Sequence, residues 1–265
     1  MKQPTTNAFN NAVAYNGYIG RWSRLVAGQF LSWLNIPSEQ TWLDVGVGTG
    51  VLTQAILQQA SPKKVVGIDL SESYVALARQ DIHDDRAEFK VGDASSMSFE
   101  TPEFDVAVSG LVLNFVPSPQ QMAISMKQAV KSGGTVALYV WDYAGRMEIM
   151  RQFWEAAITV DPSAAELDSA KQFPICNPTQ LQALFEALPL KNIEVTSLDI
   201  QAKFTDFDDY WLPFLGAQGS VSKYLLSLDE AAINALTAQL RRQLPTNADG
   251  SIDLIARALA IKGVC

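Results

Sequence analysis

Between Thr41 and Trp141 the chain alternates short apolar runs with stretches in which apolar residues recur every three or four positions. A short apolar run bounded by turn-formers reads as a buried strand, and the longer spacing as a helix with one buried face. Residues 42–46 (WLDVG) read as a first strand, followed beyond a glycine loop by a helix whose Val51, Leu52, Ala55 and Ile56 share a face. Residues 64–70 (KVVGIDL) form a second strand, and Ser71 is placed to cap a helix over 72–80. A third strand covers 87–91 and a fourth 104–110 (FDVAVSG). The fifth, 135–141 (TVALYVW), is entered through a Gly133-Gly134 turn that ends a helix around 120–131. Strands alternating with helices predict an α/β fold on a parallel sheet.

After Trp141 the rhythm changes, because the next strand-like run, 193–200, begins about fifty residues later, far beyond an ordinary strand-to-helix connection. An insertion therefore follows the fifth strand. Ile149, Met150, Phe153, Trp154 and Ile158 mark a helical stripe in it, and 179–188 reads as a helix covering the sheet. A second, aromatic-rich excursion covers 204–216, a helix spans 229–244, and 251–262 (SIDLIARALAIK) reads as a closing strand. Seven strands, the last reached through a helical excursion, predict an open sheet whose final strand runs antiparallel. The whole chain, 1–265, is expected to be a single domain. Residues 1–36 would supply an N-terminal lid helix (15–33), and the insertions 142–176 and 204–245 a cap.

Composition narrows the partners. With 28 acidic against 20 basic residues in 265, the formal charge is −8, and 48% of the chain is hydrophobic. That excludes disordered and fibrous classes and disfavours phosphate backbones and anionic lipid, since Lys63-Lys64 and Arg241-Arg242 are isolated pairs. No nucleic acid and no stable membrane insertion are expected. Cys176 and Cys265 with one histidine, His83, offer neither metal spacing nor a disulfide framework, so no metal is expected and a reducing cytoplasm is the simplest compartment. The first twenty residues lack the basic and apolar regions of a secretory signal, and the longest apolar run, 106–116, is interrupted by Ser109 and Asn114 and too short to cross a bilayer.

The chemistry concentrates where the first strand ends. Asp44-Val45-Gly46-Val47-Gly48-Thr49-Gly50 has the form D-x-G-x-G-x-G, a turn that lets a ligand approach the backbone closely. Asp69 closes the second strand 19 residues after Gly50, a spacing suited to the hydroxyls of an adenosine ribose. Asp93 ends the third. Three acids on consecutive strand ends would repel a pyrophosphate but attract a ligand bearing an ammonium and a sulfonium. The loop also departs from the dinucleotide pattern G-x-G-x-x-G, with Val51 in the place of the third glycine.

These segments (WLDVGVGTG, VVGIDLS, VGDASSMSF, FDVAVSGLVLNFV and KSGGTVALYVW) resemble the class I S-adenosylmethionine-dependent methyltransferases, and the likeness extends over roughly residues 10–265. It looks closest to a bacterial small-molecule branch of that family. The resemblance implies a Rossmann-like seven-stranded sheet with helices on both faces, S-adenosylmethionine as cofactor and a small-molecule acceptor. It also implies that Asp44, Gly46, Gly48 and Gly50 shape the methionine side of the pocket. Asp69 would bind the ribose, Leu70 pack on the adenine, and Asp93 accept from the adenine amino group beside the Ala94 amide. Ser109 and Leu111 would bring backbone to the methionine ammonium.

The fourth strand ends in Ser109-Gly110-Leu111-Val112 rather than the proline-rich motif of methyltransferases that act on amide or nucleobase nitrogen. The acceptor is therefore expected to meet the lid, where Tyr15, Tyr18, Trp22, Trp141, Trp154 and Trp211 are candidates for an apolar pocket, with ordinary core between helices the competing reading for each. The run 211–215 reads as a lid or as an interface between copies of the chain. Arg21, ahead of Arg24, is the preferred candidate to fork onto the cofactor carboxylate; a solvated helix face is the competing reading. Asp142 and Tyr143, just past the fifth strand, are candidate catalytic groups, with Asp142 also reading as a turn acid. His83, among Asp81, Asp84 and Asp85, reads as a surface residue. A protein that binds the cofactor without transferring its methyl group stands as the alternative to an enzyme.

Overall fold

A computed structural model describes residues 20–97, 101–215 and 220–265. Helix α1 (Arg21–Leu34) precedes β1 (Thr41–Val45), α2 (Val51–Gln59), β2 (Lys64–Asp69), α3 (Glu72–Asp81), β3 (Ala87–Val91) and β4 (Phe104–Gly110). A short 3-10 turn (Leu113–Phe115) leads to α4 (Pro119–Ala129) and β5 (Val130–Trp141). Then come α5 (Glu148–Val160), a 3-10 segment (Pro162–Glu166), α6 (Ser169–Gln172), α7 (Pro178–Glu186) and β6 (Lys191–Phe204). The chain ends with α8 (Phe207–Leu215), α9 (Ser220–Ser227), α10 (Glu230–Gln243) and β7 (Ile252–Val264).

The seven strands lie in the order β3-β2-β1-β4-β5-β7-β6. Parallel registers run from β3 to β5, with Leu43 opposite both Val66 and Ala107, and Val108 opposite Ala137. The last strand runs antiparallel, as expected: the Cys265 amide donates to the Gly134 carbonyl, while the Asp142 amide donates to that of Arg257. Beginning at β1 and working outward in both directions leaves the carboxyl ends of β1 and β4 side by side at the point where the strand order reverses, the place where open α/β sheets bind ligands.

The fifth strand begins five residues earlier than its apolar pattern predicts. Val130 already pairs with Phe104, and the ladder resumes at Thr135 opposite Val106 after an irregularity. Gly133, at φ +82°, accommodates it inside the strand rather than in a preceding turn. Polar Lys131 and Ser132 there are exposed, so the segment lacks the apolar signature of a strand while having its backbone. The sixth strand likewise extends beyond 193–200, because alternate residues of Lys191–Phe204 face solvent.

Two compact units can be distinguished. One comprises residues 23–140, 175–198 and 258–265. Its centre is the apolar interior of β1, β2 and β4, with Leu43, Val45, Val65, Val106, Ala107 and Val108 essentially inaccessible. Ser71 caps α3 through its hydroxyl, which accepts from the Tyr74 amide, and Ser118 caps α4 in the same way with Pro119 at the first helical position. The other unit comprises, among the described residues, 20–22, 141–174, 199–215 and 220–257. Its centre is aromatic: Phe153 stacks on Phe214 at 4.8 Å, Trp154 leans on Tyr224, and Tyr210 tilts against Phe214. Helices α5 and α10 pack together there, and the Tyr210 hydroxyl donates to the Ile149 carbonyl at 3.0 Å.

Candidate functional site

The loop between β1 and α2 is built from three left-handed glycines, Gly46 (φ +76°), Gly48 (φ +52°) and Gly50 (φ +86°). Side chains on two of them would strike the protein: a Cβ at Gly46 would come within 2.5 Å of Val112, and one at Gly50 within 2.5 Å of Ile82. Gly48 is different, because nothing lies within 4 Å of the position its Cβ would take. The loop is held by its own backbone, with the Gly46 and Val47 amides donating to the Ile68 carbonyl and the Gly50 amide to that of Val47. The result is a rigid rim with open space above its middle glycine, at the amino end of α2, where the first amides have no partner within the helix and no side chain of Gly50 to cap them.

Two of the acids are bonded to this loop or its helix, and the third lies beyond β3. Asp69, last in β2, uses both oxygens on backbone: it accepts from the Gly48 amide at 2.9 Å and from the Ser71 amide at 2.8 Å. It therefore fastens the glycine loop to the start of α3, and burial nevertheless raises its pKa above the usual carboxylate value. Asp44 is buried, with one oxygen accepting from the Thr53 hydroxyl at 2.7 Å and the other, Oδ1, without a partner. Loss of water, with the nearby Asp69 charge adding to it, pushes its pKa from 3.8 up to about 7. A buried carboxyl with an unpaired oxygen either keeps its proton or suits a ligand that brings a donor or a positive charge. Asp93, just beyond β3, is exposed and accepts from the Ser95 amide at 2.8 Å.

The neighbouring positions complete an edge. The Ser109 hydroxyl donates to the Val45 carbonyl at 2.7 Å and stitches β4 to the end of β1. Leu111 follows at φ +63°, a left-handed conformation unfavourable for a leucine, with its amide fixed on the Tyr139 carbonyl. Ala94 is half-buried beside Asp93. Leu70 is 72% exposed, and the large apolar side chains of Val91 and Phe115 also stand in solvent. Two buried polar atoms in this unit escape the sequence pattern altogether: Ser95 Oγ and Asn114 Nδ2, both without partners. A lone serine or asparagine after a strand carries no periodic signal, and only folding reveals that it is buried.

In the aromatic unit the candidate residues are engaged with one another. Arg21 donates to Asp209 at 2.9 Å and lies over the rings of Trp22 and Phe204. Trp154 is fully buried, its indole N–H donating to the Ser169 hydroxyl at 3.1 Å, and Trp211 stacks on Phe207 and Phe214. Trp22 packs edge-on against Phe204, and Trp141 is buried at the end of β5. Tyr143 is buried against Phe173. Asp142 holds a turn: its carboxylate accepts from the amides of Gly145 and Arg146, both at 3.0 Å, and its carbonyl accepts from that of Met147. Of its two sequence-level readings the turn acid is the one the contacts describe, since both oxygens serve the backbone. Tyr15 and Tyr18 lie outside the described residues.

Residues 43–138 match the family model described as a methyltransferase domain. A demethylmenaquinone methyltransferase of Lactobacillus johnsonii is 25% identical over 214 residues, 75% of this chain and 85% of that protein. A structure of phosphoethanolamine N-methyltransferase 2 from Haemonchus contortus in complex with S-adenosyl-L-methionine superposes with a TM-score of 0.60 at 19% identity, covering 98% of this chain and 58% of that one. A candidate methyltransferase of Bacillus halodurans C-125 gives a TM-score of 0.60 at 15% identity, over 90% of this chain and 97% of that one. The chain carries a methyltransferase domain over residues 43–138, and these likenesses support an S-adenosylmethionine-dependent methyltransferase with S-adenosylmethionine as its cofactor. Both the unpaired Asp44 oxygen and the open space at Gly48 fit that cofactor, as the three acidic strand ends led us to expect.

Proposed function

We propose that this enzyme transfers a methyl group from S-adenosylmethionine to a small apolar or aromatic acceptor by in-line displacement. The observation that carries the cofactor half of this reading is the unpaired, buried oxygen of Asp44 at the start of a loop whose Gly48 has open space around it. In it Asp44 receives the ammonium, Gly46 and Gly50 hold the loop in shape, and Gly48 leaves room for the chain of the methionine moiety. Asp69 faces the ribose, Leu70 and Ala94 the adenine, Asp93 the adenine amino group, and Ser109 and Leu111 fix the fourth strand's exit. The bound cofactor supplies an electrophilic methyl group on a sulfonium. The protein's contribution is to align that group with the acceptor and to exclude water, which suffices for an acceptor that is already nucleophilic.

Support for a small-molecule acceptor comes from the charge balance and from the Lactobacillus johnsonii relative, whose name specifies demethylmenaquinone. Many of the basic side chains are already answered by acids, among them Lys64 by Glu88, Lys131 by Asp105 and Arg257 by Asp199, which leaves little to attract a nucleic acid. No helix among the described residues is long and apolar enough to cross a membrane. Incubation with S-adenosylmethionine carrying a labelled methyl group and fractionated metabolites tests the reading: label should enter a low-molecular-weight apolar fraction. Label recovered in RNA or protein would overturn the acceptor class. Tight cofactor binding with no transfer to any fraction would favour a binding protein without transferase activity.

A further inference from the structure

The buried amide of Asn114 has no evident use in the fold. Its Nδ2 is sealed from solvent and without a hydrogen-bond partner, on the 3-10 turn that follows β4. The same turn is pressed onto the cofactor loop, because Val112, two residues earlier, fills the space beside Gly46 that a side chain there would need. Leu113, between them, is buried in the interior. A buried N–H left unpaired is a standing penalty, which an acceptor arriving with a ligand would relieve.

The cofactor needs such a donor. If Asp44 takes its ammonium, the carboxylate, bonded to the same carbon, must lie nearby and must find hydrogen-bond donors. The loop's own amides are engaged at Gly46, Val47, Gly48 and Gly50, which donate to Ile68, Ile68, Asp69 and Val47. Unpaired buried side-chain donors in this unit are three among the described residues: Trp42 Nε1, Ser95 Oγ and Asn114 Nδ2. Trp42 belongs to the early part of β1, and Ser95 follows Asp93 on the adenine side. Asn114 remains. We propose that Asn114 is a cofactor-binding residue whose Nδ2 donates a hydrogen bond to the carboxylate of the methionine moiety. This rests on the reading of Asp44 given above, and it assigns to the β4 exit a role in holding the amino-acid end of the cofactor rather than the acceptor.

Two ligands separate this role from a structural one. S-adenosylhomocysteine carries the carboxylate, whereas 5′-methylthioadenosine carries the adenosine and sulfur without the amino-acid group. By calorimetric titration, Asn114→Ala and Asn114→Asp should each weaken S-adenosylhomocysteine at least about tenfold, as expected for loss of a hydrogen bond to a charged group. Asn114→Asp should be the worse, because it sets a carboxylate against a carboxylate. The affinity of 5′-methylthioadenosine should stay within about twofold of the parent protein's, and the melting temperature of ligand-free Asn114→Ala should not fall, since the variant discards an unpaired buried donor. Unchanged affinity for S-adenosylhomocysteine would overturn the assignment, and so would an equal loss for both ligands, which marks a collapsed pocket. Failure of the parent protein itself to bind S-adenosylhomocysteine would instead overturn the reading of the site as a whole.

Discussion

Cofactor affinity should depend on pH through Asp44. In the ligand-free protein this carboxyl titrates near 7 rather than 3.8, so half of the molecules carry it protonated at pH 7. An ammonium beside its unpaired oxygen favours the charged form, and a protonated Asp44 must release its proton as the ligand enters. At pH 5.5 the charged fraction falls to about 3%, which makes the apparent affinity for S-adenosylhomocysteine about fifteenfold weaker than at pH 7. The ligand's own ammonium stays protonated over this range. Titrations at pH 7 in buffers of different ionisation enthalpy should register the release of about half a proton per site. Asp44→Asn should abolish both effects while binding weakly throughout. The same group acts on stability with the sign of a carboxyl whose folded pKa is raised. The native state keeps its proton where the unfolded chain gives it up, so this contribution is complete below about pH 4 and lost as the pH rises through 7. At 1.36 kcal/mol per pH unit the ceiling is roughly 4 kcal/mol, and Asp44→Asn should therefore melt higher than the parent protein at pH 8. Affinity that is flat from pH 5.5 to 7, or that keeps its slope in Asp44→Asn, would refute the reasoning; the latter would shift attention to Asp69, which burial also raises.

Asp69→Ala should weaken S-adenosylhomocysteine about tenfold or more and lower the melting temperature as well, because two backbone amides lose their acceptor; calorimetry beside thermal denaturation reads both. Gly48→Ala should cost only about 1 kcal/mol of stability from its left-handed backbone yet block the cofactor, whereas Gly50→Ala should destabilise more through its clash with Ile82. Equal melting temperatures for the two variants would contradict the packing argument. Asp142→Ala should destabilise by about 1–3 kcal/mol through the amides of Gly145 and Arg146; a variant as stable as its parent but inactive in the labelled-methyl assay would restore Asp142 to the chemistry.

The first four strands and their helices were legible because each is an apolar run or an amphipathic period flanked by glycines and a serine cap. The start of β5 was not, because Lys131-Ser132-Gly133-Gly134 has the composition of a turn and becomes strand only through pairing with its neighbours. The placement of the acids proposed for the cofactor was legible for a similar reason: Asp44, Asp69 and Asp93 fall at or just beyond strand ends, where position along the chain nearly dictates position in space. The aromatics were not, since Trp154 and Trp211 have the same hydrophobicity whether they line a pocket or fill a core. Their stacking on Tyr224, Phe207 and Phe214 emerges only from the packing of α5, α8 and α9. Asp142 was ambiguous until its two amide partners were seen, and Asn114 was silent because an unpaired donor is a property of surroundings, not of sequence.

Leu70 and Val91 at the ends of β2 and β3, and Phe115 on the turn beyond β4, expose apolar surface to water. An adenosyl group seated beside Leu70 would remove apolar surface from solvent, so binding should carry a negative heat-capacity change and become more exothermic as the temperature rises. Until then the edge is adhesive, and protein purified without ligand should be the more prone to self-association on storage. Supplying S-adenosylhomocysteine from lysis onward is thus a practical means of keeping the molecule monodisperse, by covering apolar surface before another copy does.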